Sequence, residues 1–132
     1  MTLAPQVIFV TLCAVALLCA CSSNVITNPQ DVVFPDSNVR FRGHVQPFLT
    51  VTCANGGCHS DITAAAGIRL TSYSSIMFDR PNLIVPNRPN ESVIIQVLEG
   101  VLPHPFGGLD QRITSNHVFG MRRWVAEGAL NN

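Results

Sequence analysis

Apolar positions along this chain fall into one long run followed by short, spaced sets. The run covers residues 7–20, fourteen positions broken only by Thr11. A membrane-spanning helix needs about 20 apolar residues, whereas a signal-peptide core needs about 7–15. Residues 1–20 therefore read as a signal peptide. Residues 22–39 hold two prolines and three asparagines and no sustained period. That stretch reads as a tether, with Phe34 available to pack on the body.

From Arg40 onward helical spacing takes over. Phe41, Val45, Phe48 and Thr52 recur at steps of four, three and four, one face of a helix that starts near His44 and runs into Cys53. Pro47 then falls in a first turn, where its missing N–H costs nothing. Thr71 or Ser72 would cap a short helix through Tyr73, Ile76, Met77 and Phe78. Asn90 would cap a helix over 91–98, with Val93, Ile94 and Val97 inward and Gly100 as its stop. Thr114 would cap the last helix. Val118, Met121, Trp124 and Val125 form its apolar stripe and Gly128 ends it. No stretch alternates as a hairpin would, so residues 40–132 read as one mainly α domain of about four helices.

Composition sharpens this picture in two respects. The net charge is zero and all eight basic residues are arginine, which leaves no basic footprint for nucleic acid. Of five cysteines, Cys13, Cys19 and Cys21 lie in or beside the apolar run, and only Cys53 and Cys58 lie in the body. The fold therefore has no disulfide framework. Leu18-Cys19-Ala20-Cys21 resembles a bacterial lipobox. The resemblance makes Cys21 the lipidated first residue of the mature chain, with residues 21–39 as lipidated N-terminus and tether. It implies a protein of the cell envelope, facing the periplasm or the outer surface and held to a membrane by its lipid. The competing reading is an ordinary signal peptide cut nearby.

The chemistry gathers in Cys53-Ala54-Asn55-Gly56-Gly57-Cys58-His59. Two thiols and an adjacent imidazole are what covalent haem attachment requires: the thiols add across the vinyl groups and the histidine reaches the iron. The usual spacing is C-x-x-C-H, and here it is C-x4-C-H. Asn55, Gly56 and Gly57 tolerate left-handed backbone and let a wider loop close. A Cys53–Cys58 disulfide in a haem-free surface lipoprotein is the alternative. Zinc is disfavoured, because a structural site wants four ligands and the body holds two cysteines.

With these parts in order, the chain resembles small c-type cytochrome domains of bacterial envelopes, often lipoproteins, that carry an expanded C-x4-C-H motif. The resemblance runs from Arg40 to Asn132. It rests on Val45-Gln46-Pro47-Phe48-Leu49, the Cys53–His59 loop, 66–73, Leu83-Ile84-Val85-Pro86, 89–94 and Trp124-Val125-Ala126-Glu127-Gly128-Ala129. It implies a small cytochrome c-like fold around one covalent haem c, thioethers from Cys53 and Cys58, and His59 as proximal iron ligand. The implied function is one-electron transfer rather than catalysis, with an unidentified redox protein as partner.

In that family a Met-Pro pair before the last helix supplies the second axial ligand. Here the matching residues are Leu102-Pro103, and leucine cannot ligate iron. His104, two positions on and flanked by Pro103 and Pro105, is the candidate distal ligand. Met77 and Met121 read as core, His117 as solvent-facing in a first helical turn, and His44 as helping to terminate a helix. If none ligates, the distal side is open to a small ligand or peroxide. Phe48 and Trp124 would let the first and last helices cross beside the haem. Arg69 or Arg88 could pair with its propionates, and the sequence does not choose between them.

Overall fold

The computed structural model describes residues 25–55, 57–106 and 110–132. The expected signal peptide and Cys21 lie outside the described residues. Among them are four α-helices and no strand. We label these α1 (Gln46–Thr52), α2 (Tyr73–Phe78), α3 (Val93–Leu98) and α4 (Ser115–Ala126). Only α1 and α4 reach seven residues; besides the helices the described chain has short 3-10 turns and one π-helical turn.

The helix expected from near His44 begins earlier and wider. Phe41–Val45 is a π-helical turn in which the Gln46 N–H reaches back to the Phe41 carbonyl. Pro47 has no N–H to bond one turn back, and the wide turn absorbs the gap before α1 tightens. His44 serves this start: its Nδ1 accepts the Arg40 N–H at 3.0 Å. Asn132 covers the same end, its Oδ1 accepting the Phe41 N–H at 2.9 Å and its carbonyl the Arg42 N–H at 3.0 Å. The predicted face is the buried one: Phe41, Val45, Phe48 and Thr52 are all in the core.

Ser72 caps α2, in a reciprocal pair with Ser75. Thr71 instead donates its hydroxyl to Asp61 at 2.7 Å. The helix expected over 91–98 is split. Pro89–Glu91 is a short 3-10 turn and α3 starts only at Val93. The cause is Ser92, fully buried, whose hydroxyl accepts the Val85 N–H at 2.8 Å and donates to the Arg88 carbonyl at 3.1 Å. Asn90 caps nothing. Its side-chain oxygen takes a guanidinium N–H from Arg122 on α4.

Thr114 caps α4 in a box closed by a histidine. The Thr114 hydroxyl accepts the His117 N–H and His117 Nδ1 accepts the Thr114 N–H at 3.0 Å. His117 is therefore not solvent-facing as expected; it is 1% exposed. With Nδ1 accepting, Nε2 carries the proton and donates to the Val32 carbonyl at 3.0 Å. Apolar residues of the preceding segment and of α1 explain its burial. Phe34 and Phe48 pack on the ring, at centroid distances of 6.2 and 4.8 Å.

That preceding segment packs more fully than the contact expected of Phe34 alone. Val32, Phe34 and Val39 are all buried. The Asn116 side-chain amide accepts the Phe34 N–H and donates to the Phe34 carbonyl. The Glu127 carboxylate accepts the N–H groups of Asn38 and Val39, both at 2.9 Å. Residues 28–39 thus form a strap bonded along α4, with irregular backbone whose polar groups are met by side chains.

Phe48, Trp124 and Met121 are fully buried in the core. Trp124 lies 5.7 Å from Phe41, centroid to centroid, and donates its indole N–H to the Leu130 carbonyl at 3.0 Å. Neither Phe48 nor Trp124 lines the cavity described next. Phe48 packs instead on His117 of α4, and Trp124 on Phe41 of the π-helical turn. Met77 is partly buried against the same core and is likewise absent from the cavity wall.

Candidate functional site

Helix α1 ends at Thr52, and the Cys53–His59 loop leaves its C-terminus to form one wall of a cavity of about 340 Å3. That size falls in the range of roughly 300–1,000 Å3 found for small-molecule and cofactor sites. Cys53, Cys58 and His59 line it from the loop. Ile68 and Leu70 follow on an extended stretch, Val93, Ile94 and Val97 come from α3, and Leu102, Pro103 and His104 close the far side. Apart from the thiols, the imidazoles, Thr52 and Arg80, the described lining is apolar.

The loop is held at His59 by three separate bonds. The His59 N–H donates to the Cys53 carbonyl at 3.0 Å, and its carbonyl accepts the Leu70 N–H at 2.9 Å. Its ring Nδ1 lies 3.1 Å from the Ile68 carbonyl. A carbonyl only accepts, so Nδ1 carries the ring proton in this contact. Nε2 is left with a bare lone pair and no hydrogen-bond partner among the described residues. Histidines that ligate metals are oriented by this kind of bond, which fixes the tautomer and raises the basicity of the other nitrogen.

Cys53 and Cys58 are both free thiols. They differ in surroundings. Cys58 is exposed, whereas burial pushes the Cys53 thiol up to about 11, against a lowering by the hydrogen bond with Thr52 and with a smaller upward push from Cys58. The Thr52 hydroxyl, 3.2 Å from Cys53 Sγ, itself donates to the Phe48 carbonyl at 2.6 Å.

His104 stands in the irregular stretch after Leu102, where Pro103 and Pro105 fix the backbone on both sides. Its ring centroid lies 5.9 Å from that of His59, with the planes inclined at 38°. Phe106 packs on its other side at 4.8 Å. Burial, and then the neighbouring His59, hold the His104 imidazolium below its usual range. Two imidazoles bound to one metal ion by bonds of about 2 Å would have ring centres about 6 Å apart, and the His59–His104 separation is of that size.

The remaining sequence candidates lie elsewhere. His44 and His117 are occupied at helix starts, and Met77 and Met121 belong to the core. Arg69 is engaged with Asp79 through two bonds of 2.8 and 2.9 Å, and Arg88 pairs with Glu91 at 3.3 Å. Neither lines the cavity. Arg80 does, and nothing in its sequence context separated it from the other arginines. The Ile68 carbonyl was also beyond sequence reading, because a backbone acceptor carries no residue signature.

The donor set fits a covalent haem. It offers two free thiols, an oriented imidazole with a bare nitrogen, a second imidazole with its ring centre 5.9 Å away, and apolar walls. Among the described residues no group of three or more His, Cys, Asp or Glu side chains could hold a lone metal ion. No helix among them is long and apolar enough to cross a membrane. Comparison with models of protein families, with curated proteins and with solved structures finds no match.

Proposed function

We propose that this protein is a small c-type cytochrome of the bacterial envelope, a one-electron carrier held to a membrane by lipid on Cys21. The observation that carries this reading is the pairing of His59 and His104 at 5.9 Å across a cavity edged by two free thiols. A haem bound there supplies an iron that alternates between ferric and ferrous and so passes single electrons.

The chain's own residues would do the rest. Cys53 and Cys58 would hold the haem covalently through their sulfurs. His59 presents Nε2, oriented by the Ile68 carbonyl, and His104 presents a ring nitrogen from the proline-flanked loop. Leu102, Leu83, Val93 and Val97 exclude water, which lowers the local dielectric and favours the less charged iron state. Two imidazoles oppose that effect, since a thioether ligand stabilises the reduced state more than an imidazole does. The replacement of a ligating methionine by Leu102 thus points to a carrier of lower potential than a His/Met relative.

The test is an alkaline pyridine haemochrome spectrum of the protein exported with cytochrome maturation factors, taken after acid-acetone extraction. Haem that stays with the polypeptide and shows a c-type α-band is expected. Haem that extracts, or a colourless folded protein, would overturn the reading and leave a haem-free lipoprotein.

A further inference from the structure

We propose, resting on the haem reading above, that Arg80 is the residue that binds a propionate carboxylate at the cavity. The inference comes from an imbalance of charge. Among the described residues that line the cavity, Arg80 is the single side chain of fixed charge, and no carboxylate lines it. Its neighbour Asp79 cannot neutralise it. Both Asp79 oxygens are taken by Arg69, one by Nε at 2.8 Å and the other by Nη2 at 2.9 Å. That pairing lowers the Asp79 carboxyl below its usual range, chiefly through the hydrogen bonds. Arg80 itself makes no ion pair and no side-chain hydrogen bond among the described residues, whereas Arg69, Arg88 and Arg122 are each paired.

A guanidinium at the edge of an apolar cavity is suited to a ligand of one kind: an apolar body that fills the hydrophobic space and a carboxylate that meets the cation. Its fork of donors matches a carboxylate with two parallel bonds, and such charge-assisted pairs are stronger than neutral ones. The backbone supports the placement. Arg80 opens the turn after α2, and its carbonyl accepts the Leu83 N–H, so the arginine and the cavity residue Leu83 are fixed in one turn. Arg80 is thus a cofactor-binding residue, and the Asp79–Arg69 pair keeps its charge available.

The experiment compares wild type, Arg80→Gln and Arg80→Lys, each exported as holoprotein. Three quantities are read: haem that remains covalently attached, the propionate-bending band in the resonance Raman spectrum, and the midpoint potential. Arg80→Gln is expected to keep its covalent haem, shift the propionate band and lower the potential, because an unpaired carboxylate disfavours the added electron. Arg80→Lys is expected to restore the potential largely and the band in part, since an ammonium replaces the charge but not the fork. An unchanged propionate band in Arg80→Gln with haem still attached would overturn the assignment and leave the cytochrome reading standing. A wild-type protein without covalent haem would overturn both, and that failure shows before any variant is made.

Discussion

Gly120 of α4 lies directly against the ring of Phe34: a Cβ at position 120 would sit 2.0 Å from Cγ of that phenylalanine and 2.2 Å from its Cβ and Cδ1. No side chain fits in that space, so the strap and α4 touch through a bare backbone. Gly120→Ala is expected to displace Phe34 and cost about 1–3 kcal/mol, the usual penalty for overpacking a close-packed core. Phe34→Ala alone should cost about 3–5 kcal/mol. In urea unfolding the double variant should be clearly more stable than the sum of the two losses predicts. Simple additivity would show that the two positions are not in contact.

A second expectation concerns His104. On the proposed cytochrome reading, replacing it by alanine would remove one imidazole from the cavity and leave His59, Cys53 and Cys58 in place. His104→Ala should retain covalent haem, move from a low-spin to a high-spin absorption spectrum, and gain rapid carbon monoxide binding in the ferrous form. A spectrum identical to wild type would remove His104 from the coordination sphere and favour the open distal site.

The buried imidazole of His117 makes a pH prediction. Burial, opposed by the backbone bonds to Val32 and Pro29, lowers its pKa below the ordinary 6.5. The unfolded chain therefore takes up a proton at a higher pH than the folded chain does. Stability from this group is present above about pH 6.5 and is lost as the pH falls toward the lowered folded value. Protonation at Nδ1 would also remove the acceptor of the Thr114 N–H. His104 shifts in the same direction, so the test must isolate His117. His117→Gln keeps an acceptor at the position that closes the cap but cannot titrate, and its denaturation midpoint should fall less steeply between pH 6.5 and 5. Equal slopes for the two proteins would refute the assignment.

Glu127 gives a prediction at the far end of α4. Its two oxygens each accept a backbone N–H, from Asn38 and Val39. Glu127→Gln leaves one oxygen and turns an amide donor toward a donor. Bonds to charged groups contribute about 1.5–3 kcal/mol, so a loss of about 1–3 kcal/mol is expected in urea unfolding, with covalent haem content unchanged. A loss of haem attachment instead would mean that the strap shapes the cavity directly.

Much of the fold was legible where one physical cue acts alone. The buried face of Phe41, Val45, Phe48 and Thr52 followed from spacing, and the caps at Ser72 and Thr114 from residue type. Legibility failed where one side chain had two available uses. Asn90 could cap a helix, but Arg122 engages its oxygen and Ser92 breaks the helix behind it. His117 looked like a polar first-turn residue, and only the fold brings Phe34 and Phe48 onto its ring from 83 and 69 positions away. Cys53, Cys58 and His59 were singled out because they lie within seven residues and His104 because it follows Leu102-Pro103, and all four line one cavity. Arg80 was not singled out, because neutralisation of Arg69 and Arg88 elsewhere is a tertiary fact.

The strap has a mechanical meaning. Between Asn28 and the Cys53–His59 loop the chain is fastened to α4 at three side chains in succession, His117, Asn116 and Glu127. Tension entering from the N-terminal side, as from an attachment to a membrane, meets those fastenings before it reaches α1 and Cys53. The load would pass into the longest of the described helices, and the geometry of the cavity would be shielded from movement at the N-terminal side.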